Sequence, residues 1–190
     1  MKNSTSPGRR KFIKTGLLSF AGVIMLPSCL KNYNPFRFFT LEEASLLVDI
    51  CDQIIPEDEN GPGATKAGVI YYIDKQLSEV FADQQSAYRE GLKAFRESCL
   101  TMFSKDFGEL SIDDKIKFLK MLEGNEIAGD YWNEQSARDF FSIVIRHSMQ
   151  GFYGPPRHGG NKNYISYKVM NLDYPYVVGQ NRYRKEPVYE

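Results

Sequence analysis

The 190-residue chain has little of what most metal and cofactor sites are built from, with only two histidines and three cysteines. His147 and His158 stand apart from one another with no cysteine nearby, a spacing that makes a poor zinc site. There is no Cys-x-x-Cys-His for covalent haem attachment and no cysteine series for an iron–sulfur cluster. No Gly-x-Gly-x-x-Gly opens a strand–helix unit, which excludes the dinucleotide fold read from that fingerprint. No alternating apolar–polar run of useful length appears before residue 160, and no Asn-Gly or Asp-Gly turn separates two such runs, so strands are not expected there. No Ser/His/Asp set is assignable, and the chain offers no evident catalytic, cofactor-binding or metal residues of its own. An excess of positive charge is missing too. The formal net charge is zero, which does not suit a nucleic-acid partner.

That zero hides an uneven distribution. Lys2, Arg9, Arg10, Lys11 and Lys14 fall in residues 1–28, a stretch with no acid, and the remainder of the chain is mildly acidic. Arg9-Arg10-Lys11-Phe12-Ile13-Lys14 followed by the uncharged Gly16–Leu26 reads as a signal peptide with a basic start and a short apolar core. The apolar stretch is shorter than the ~20 residues a membrane span needs. Arg9, Arg10, Phe12 and Lys14 resemble the twin-arginine export signal, whose translocon carries folded proteins; a basic start to a membrane anchor is the other reading. Leu26-Pro27-Ser28-Cys29 resembles a lipobox, which would make Cys29 a lipidated first residue of the mature protein. Simple cleavage near Ser28 is the alternative. Residues 29–39 read as a linker, and residues 40–190 as one domain.

Within that domain the pattern is helical. Thr40 and Glu43 form a capping box before a stripe of Ala44, Leu47, Val48, Cys51, Ile54 and Ile55, and Pro56 stops the helix. Further stripes are Ile70, Ile73, Leu77, Val80 and Phe81, then Tyr88, Leu92, Phe95, Cys99, Met102 and Phe103 from near Asp83. Ser111 and Asp114 cap a helix carrying Ile116, Leu119 and Leu122. A last helix over about 134–152 is apolar nearly all round from Phe140 to Ile145, which predicts a course through the middle of a bundle. The fold class is therefore all-α, a bundle of about five helices. Cys51 and Cys99 occupy apolar helix positions as small hydrophobes, with a disulfide between them left open. Asp49, Asp52, Glu57, Asp58 and Glu59 form an acidic cluster without the EF-hand spacing, more in keeping with a solvated loop than a calcium site.

Residues 153–190 are rich in Gly, Pro, Asn and Tyr and hold seven of the twelve tyrosines. Such an irregular tail either wraps its own bundle or offers tyrosines to another chain.

Three segments together resemble the gluconate 2-dehydrogenase subunit 3 family. They are Asp52-Gln53-Ile54-Ile55-Pro56-Glu57-Asp58 with Gly61–Ala64 and Val69–Asp74; Leu110-Ser111 with the helix after it; and His147–Gly154 running into Gly159-Gly160-Asn161. The chain departs from the family's usual pattern at Pro155, His158 and Tyr167. The resemblance implies a non-catalytic small subunit of a periplasmic sugar or polyol dehydrogenase. In such complexes a large subunit carries FAD, a c-type cytochrome with its haem takes the electrons onward, and the small subunit supplies the export signal and stabilises its partner. On that basis Gly151, Phe152, Tyr153, Gly154, Pro156, Gly159, Gly160, Asn161 and Tyr167 are expected at the contact with the large subunit. The same loop could instead fold back to cap its own last helix. A self-sufficient oxidoreductase and a lipid-anchored binding or structural protein are the competing functions.

Overall fold

The computed structural model describes residues 33–172, apart from Asn60, Ala128 and Glu134. The side-chain caps mark the helix starts. Thr40 Oγ1 accepts from Glu43 N at 3.2 Å while the Glu43 carboxylate accepts from Thr40 N at 2.8 Å, opening α1 (Leu41–Ile54). Ser111 accepts from Asp114 N to open α5 (Ile112–Gly124), and Ser136 from Asp139 N to open α6 (Ala137–Tyr153). Between them run α3 (Val69–Ser78) and α4 (Gln85–Phe103). These are the five long helices the periodicity predicts. Two short ones add to them, α2 (Ala64–Ala67) and α7 (Ile165–Val169), and no strand occurs among the described residues. Short helices carry too few turns to show a periodic stripe. In α2 the start comes instead from Asp52, whose carboxylate accepts from both Thr65 N and Thr65 Oγ1, so one member of the acidic cluster is a structural cap.

Helix α6 lies at the centre and touches each of the other six. It buries Phe140, Phe141, Val144, His147, Ser148, Gly151 and Phe152. It packs tightly on α4 at Gly91, where a β-carbon would lie 2.1 Å from the Phe140 ring. One turn further along α4, Phe95 meets the rings of Phe107 and Phe118 edge-on, each at 5.0 Å. Cys51 and Cys99 are both buried and both free, so the disulfide left open by the sequence is not formed.

Several boundaries differ from the periodic pattern. Helix α3 ends at Ser78, so Val80 leaves its stripe and is exposed, while Phe81 returns to stack on the imidazole of His147 at 4.8 Å. Met102 and Ile116 sit at the margins of their stripes and are exposed. The described part of the tail, up to residue 172, is less irregular than its composition suggests, because α7 and two single turns, Pro156–His158 and Lys162–Tyr164, follow α6.

The largest correction concerns the linker. Residues 34–39 are packed against the bundle as a strap. The buried Asp74 carboxylate accepts from three successive amides, Arg37 N at 2.8 Å, Phe38 N at 2.9 Å and Phe39 N at 3.1 Å. Phe39 is fully in the core, edge-on to Tyr88. Arg89 donates to the Phe38 carbonyl and the Glu43 carboxylate, with its guanidinium 4.2 Å above the Phe38 ring. Burial works to raise the Glu43 carboxyl, but the Arg89 and Thr40 bonds outweigh it and hold it below the usual carboxylate range.

Candidate functional site

The residues singled out at the end of α6 come together, and most are used to fold the loop onto its own helix. Gly160 lies directly against the α6 backbone: a β-carbon there would be 2.0 Å from the Gly151 carbonyl oxygen. Gly151 in turn faces Tyr72, and a β-carbon would meet that ring at 3.0 Å. Asn161, fully buried in the left-handed conformation, donates from Nδ2 to the Gly154 carbonyl and accepts at Oδ1 from Ser166 N, both at 2.9 Å. It thereby caps the open end of α6 and starts α7 at once. Tyr72 donates to Gln150 Oε1 at 3.1 Å, which ties α3 to the last turn of α6.

The nine candidate contact residues therefore divide by burial. Gly151, Phe152, Gly160 and Asn161 are buried inside the chain, so the pairing of Asn161 with another chain's backbone gives way to pairing with its own. Gly154, Pro156, Gly159 and Tyr167 are half-buried, and Tyr153 is 47% exposed. Its neighbour on the same helical face, Met149, is also exposed. The loop thus shapes a surface with its glycines and Asn161, and presents it with Tyr153. Arg9, Arg10, Phe12, Lys14 and Cys29 lie outside the described residues.

His147 is a core histidine. Its Nδ1 is 2.9 Å from the Tyr88 hydroxyl, and its ring stacks with both Phe81 and Tyr88. Burial, with a smaller push from Arg146, lowers it to about 4, so the ring is neutral at ordinary pH and shares one hydrogen bond with the Tyr88 hydroxyl. Burial likewise pushes the Cys51 thiol up to about 12 and Cys99 to about 11, which removes their thiolates as nucleophiles. Among the described residues no group of three His, Cys, Asp or Glu side chains is placed to hold a metal ion.

One cleft of about 520 Å³ opens between α1 and α4, floored by Leu46, Leu92 and Phe107. Its rim charges neutralise one another, Arg89 with Glu43 and Arg96 with Asp106 and Glu42. Burial raises the Asp49 carboxyl at its edge, against the nearby Lys115 charge.

A family model described as gluconate 2-dehydrogenase subunit 3 matches residues 41–173. The chain belongs to that family. The matched stretch runs from the first residue of α1 to just past α7, so it takes in every described helix and the fold-back loop. The strap of residues 34–39 precedes it. The family's description is of a subunit, which makes this chain an accessory component of a multi-subunit gluconate dehydrogenase. No curated protein and no solved structure matches the chain.

The sequence pattern missed Asp74, Arg89 and Gln150. For Asp74 a signal existed. It falls inside the apolar stripe of Ile70, Ile73 and Leu77, and a carboxylate on a buried face needs donors from elsewhere in the chain.

Proposed function

We propose that this protein is the non-catalytic small subunit of a periplasmic FAD-dependent sugar or polyol dehydrogenase, which it stabilises and escorts through twin-arginine export. The observation that carries the reading is membership of a dehydrogenase-subunit family in a chain that opens with Arg9-Arg10 and Phe12 and Lys14 behind them. A flavoprotein folds around its FAD before export, so it needs a route that accepts folded cargo. A leader on a bound partner supplies one. FAD and the oxidation belong to the large subunit, and the haem to a c-type cytochrome that receives the electrons. Cys29, lipidated, holds the assembly at a membrane.

The contact with the large subunit is centred on Tyr153, with Met149 one turn back on α6, and takes in Pro156 and Tyr167. Tyrosine and methionine are favoured at such contacts, tyrosine because its ring covers much apolar area at small entropic cost and methionine because its thioether adapts to the partner's shape. The glycines and Asn161 fix the shape of that surface.

Co-expression with an FAD-dependent dehydrogenase encoded beside this chain tests the reading. Replacing Arg9 and Arg10 by Lys is expected to leave both proteins in the cytoplasm, with the flavoprotein's FAD bound. Normal arrival of the flavoprotein in the periplasm would refute the escort role. A purified mature chain that oxidised a sugar unaided would favour the self-sufficient enzyme instead.

A further inference from the structure

Around the strap the surface is basic and aromatic, although the mature chain as a whole is acidic. Phe36 of the strap stacks on the exposed Tyr71 with ring centroids 5.6 Å apart. Lys162 Nζ lies 5.4 Å from the centre of the same ring. One turn along α3, Lys75 donates to the Arg157 carbonyl at 3.1 Å, and the Arg157 side chain is exposed, its Nε donating to His158 Nε2. Arg37 is 61% exposed and paired with Glu79. Among the described acids beside the strap, Glu79 is paired with Arg37, Glu43 with Arg89, and the buried Asp74 has its oxygens filled by strap amides.

The covalent chain adds a second, independent constraint. Asn34 begins the packed strap, its Oδ1 accepting from Phe36 N and its Nδ2 donating to the Phe39 carbonyl. It lies five Cα-to-Cα steps beyond Cys29. Fully extended, that length reaches roughly 18 Å. An acyl chain on Cys29 therefore holds the start of the strap within roughly 18 Å of the membrane surface, close enough for a basic face of the domain to be drawn into the ~8 Å Debye layer at physiological salt.

We propose that Phe36, Arg37, Tyr71, Lys75, Arg157 and Lys162 form a membrane-facing surface that takes anionic lipid headgroups. The proposal rests on the lipid anchor at Cys29 that belongs to the proposed function. The anchor supplies the attachment, and the patch sets which face of the domain turns to the bilayer. Each cation brought to an anionic surface is worth about a fivefold change in occupancy, so the exposed cations together impose a strong orientation.

The test uses the exported full chain, purified from membranes and reconstituted in phosphatidylcholine vesicles with or without phosphatidylglycerol. Lysines are acetylated with a water-soluble reagent and read by mass spectrometry, with Lys117 and Lys120 on α5 as references. Lys75 and Lys162 are expected to be labelled several-fold more slowly in phosphatidylglycerol vesicles, with the protection lost in high salt. An R37Q/R157Q variant is expected to lose that protection by about fivefold per charge removed. Equal labelling in the two vesicle types overturns the proposal. So does protection that appears only when a flavoprotein is bound, whatever the lipid, since the patch would then be a protein contact. The intact mass separates the two readings. An acylated Cys29 with unprotected lysines sinks the patch and leaves the anchor, whereas an unmodified Cys29 with lipid-dependent protection does the reverse.

Discussion

Asp74→Ala is the most informative single change, because the strap is held by one side chain. In the native chain the carboxylate accepts three amide bonds from Arg37, Phe38 and Phe39. A hydrogen bond to a charged group contributes about 1.5–3 kcal/mol, and a donor left buried without one costs about 1–3 kcal/mol. The variant does not suffer all of that, because the strap can peel away and hydrate its amides. The main forces that then resist peeling are burial of Phe39, about 2–3 kcal/mol, and the Arg89 bond to the Phe38 carbonyl, about 1.5–3 kcal/mol. Releasing six residues of backbone returns at least about 1 kcal/mol each in conformational entropy. Docking without Asp74 is thus unfavourable by a small margin, and the clamp is what tips it.

The expected outcome is local. In Asp74→Ala the amides of residues 37–39 lose hydrogen-exchange protection while the five long helices keep theirs. Global stability falls by about 3 kcal/mol from the uncovered core around Tyr88, or roughly 10 °C in a domain of this size. Asp74→Asn keeps one acceptor oxygen for Phe38 and Phe39 but points an amide donor at the Arg37 N–H, so about half the loss is expected. Strap amides that stay protected in the alanine variant would refute the clamp. Uniform loss of protection across the bundle would refute the claim that the strap opens as a separate unit.

Other sites give equally direct tests. Gly160→Ala places a β-carbon against the Gly151 carbonyl, where only backbone can yield, and is expected to cost about 3 kcal/mol in urea unfolding. His147 has its folded value lowered to about 4 against an unfolded value of 6.5, so between those pH values the unfolded chain binds the extra proton. Stability contributed by the neutral ring is complete above pH 6.5 and is lost as pH falls toward 4, by about 3 kcal/mol in all. A pH series of unfolding curves should show that slope in the native protein and a flatter one in His147→Gln. Cys51, raised to about 12, should react with an aromatic disulfide reagent about a thousandfold more slowly than an open thiol, and at the unfolding rate if at all.

Features fixed by near neighbours were legible in the sequence. Thr40 with Glu43, and Ser111 with Asp114, cap helices through contacts three residues apart, and the stripes behind them follow from the helical period. The strap was not legible by that route, because no period runs through residues 34–39. Its composition did carry a warning: Phe36, Phe38 and Phe39 fall within four residues, and a solvated linker has no use for three phenylalanines. The fold-back loop was legible only as a choice between two roles. Gly160 meets Gly151 through a tertiary turn, and no local pattern reports how near two backbones come.

Those two illegible pieces meet. Tyr71 carries the Phe36 ring of the strap and lies under Lys162, while Gly159 approaches the Tyr71 carbonyl closely enough that a β-carbon would be 3.2 Å away. The strap lies before the family match and the loop near its end, yet both close on the same segment of α3. The strap and the loop that closes α6 therefore share one support, and Asp74, one turn from Tyr71 on α3, is the residue through which the strap's hold on it can be cut.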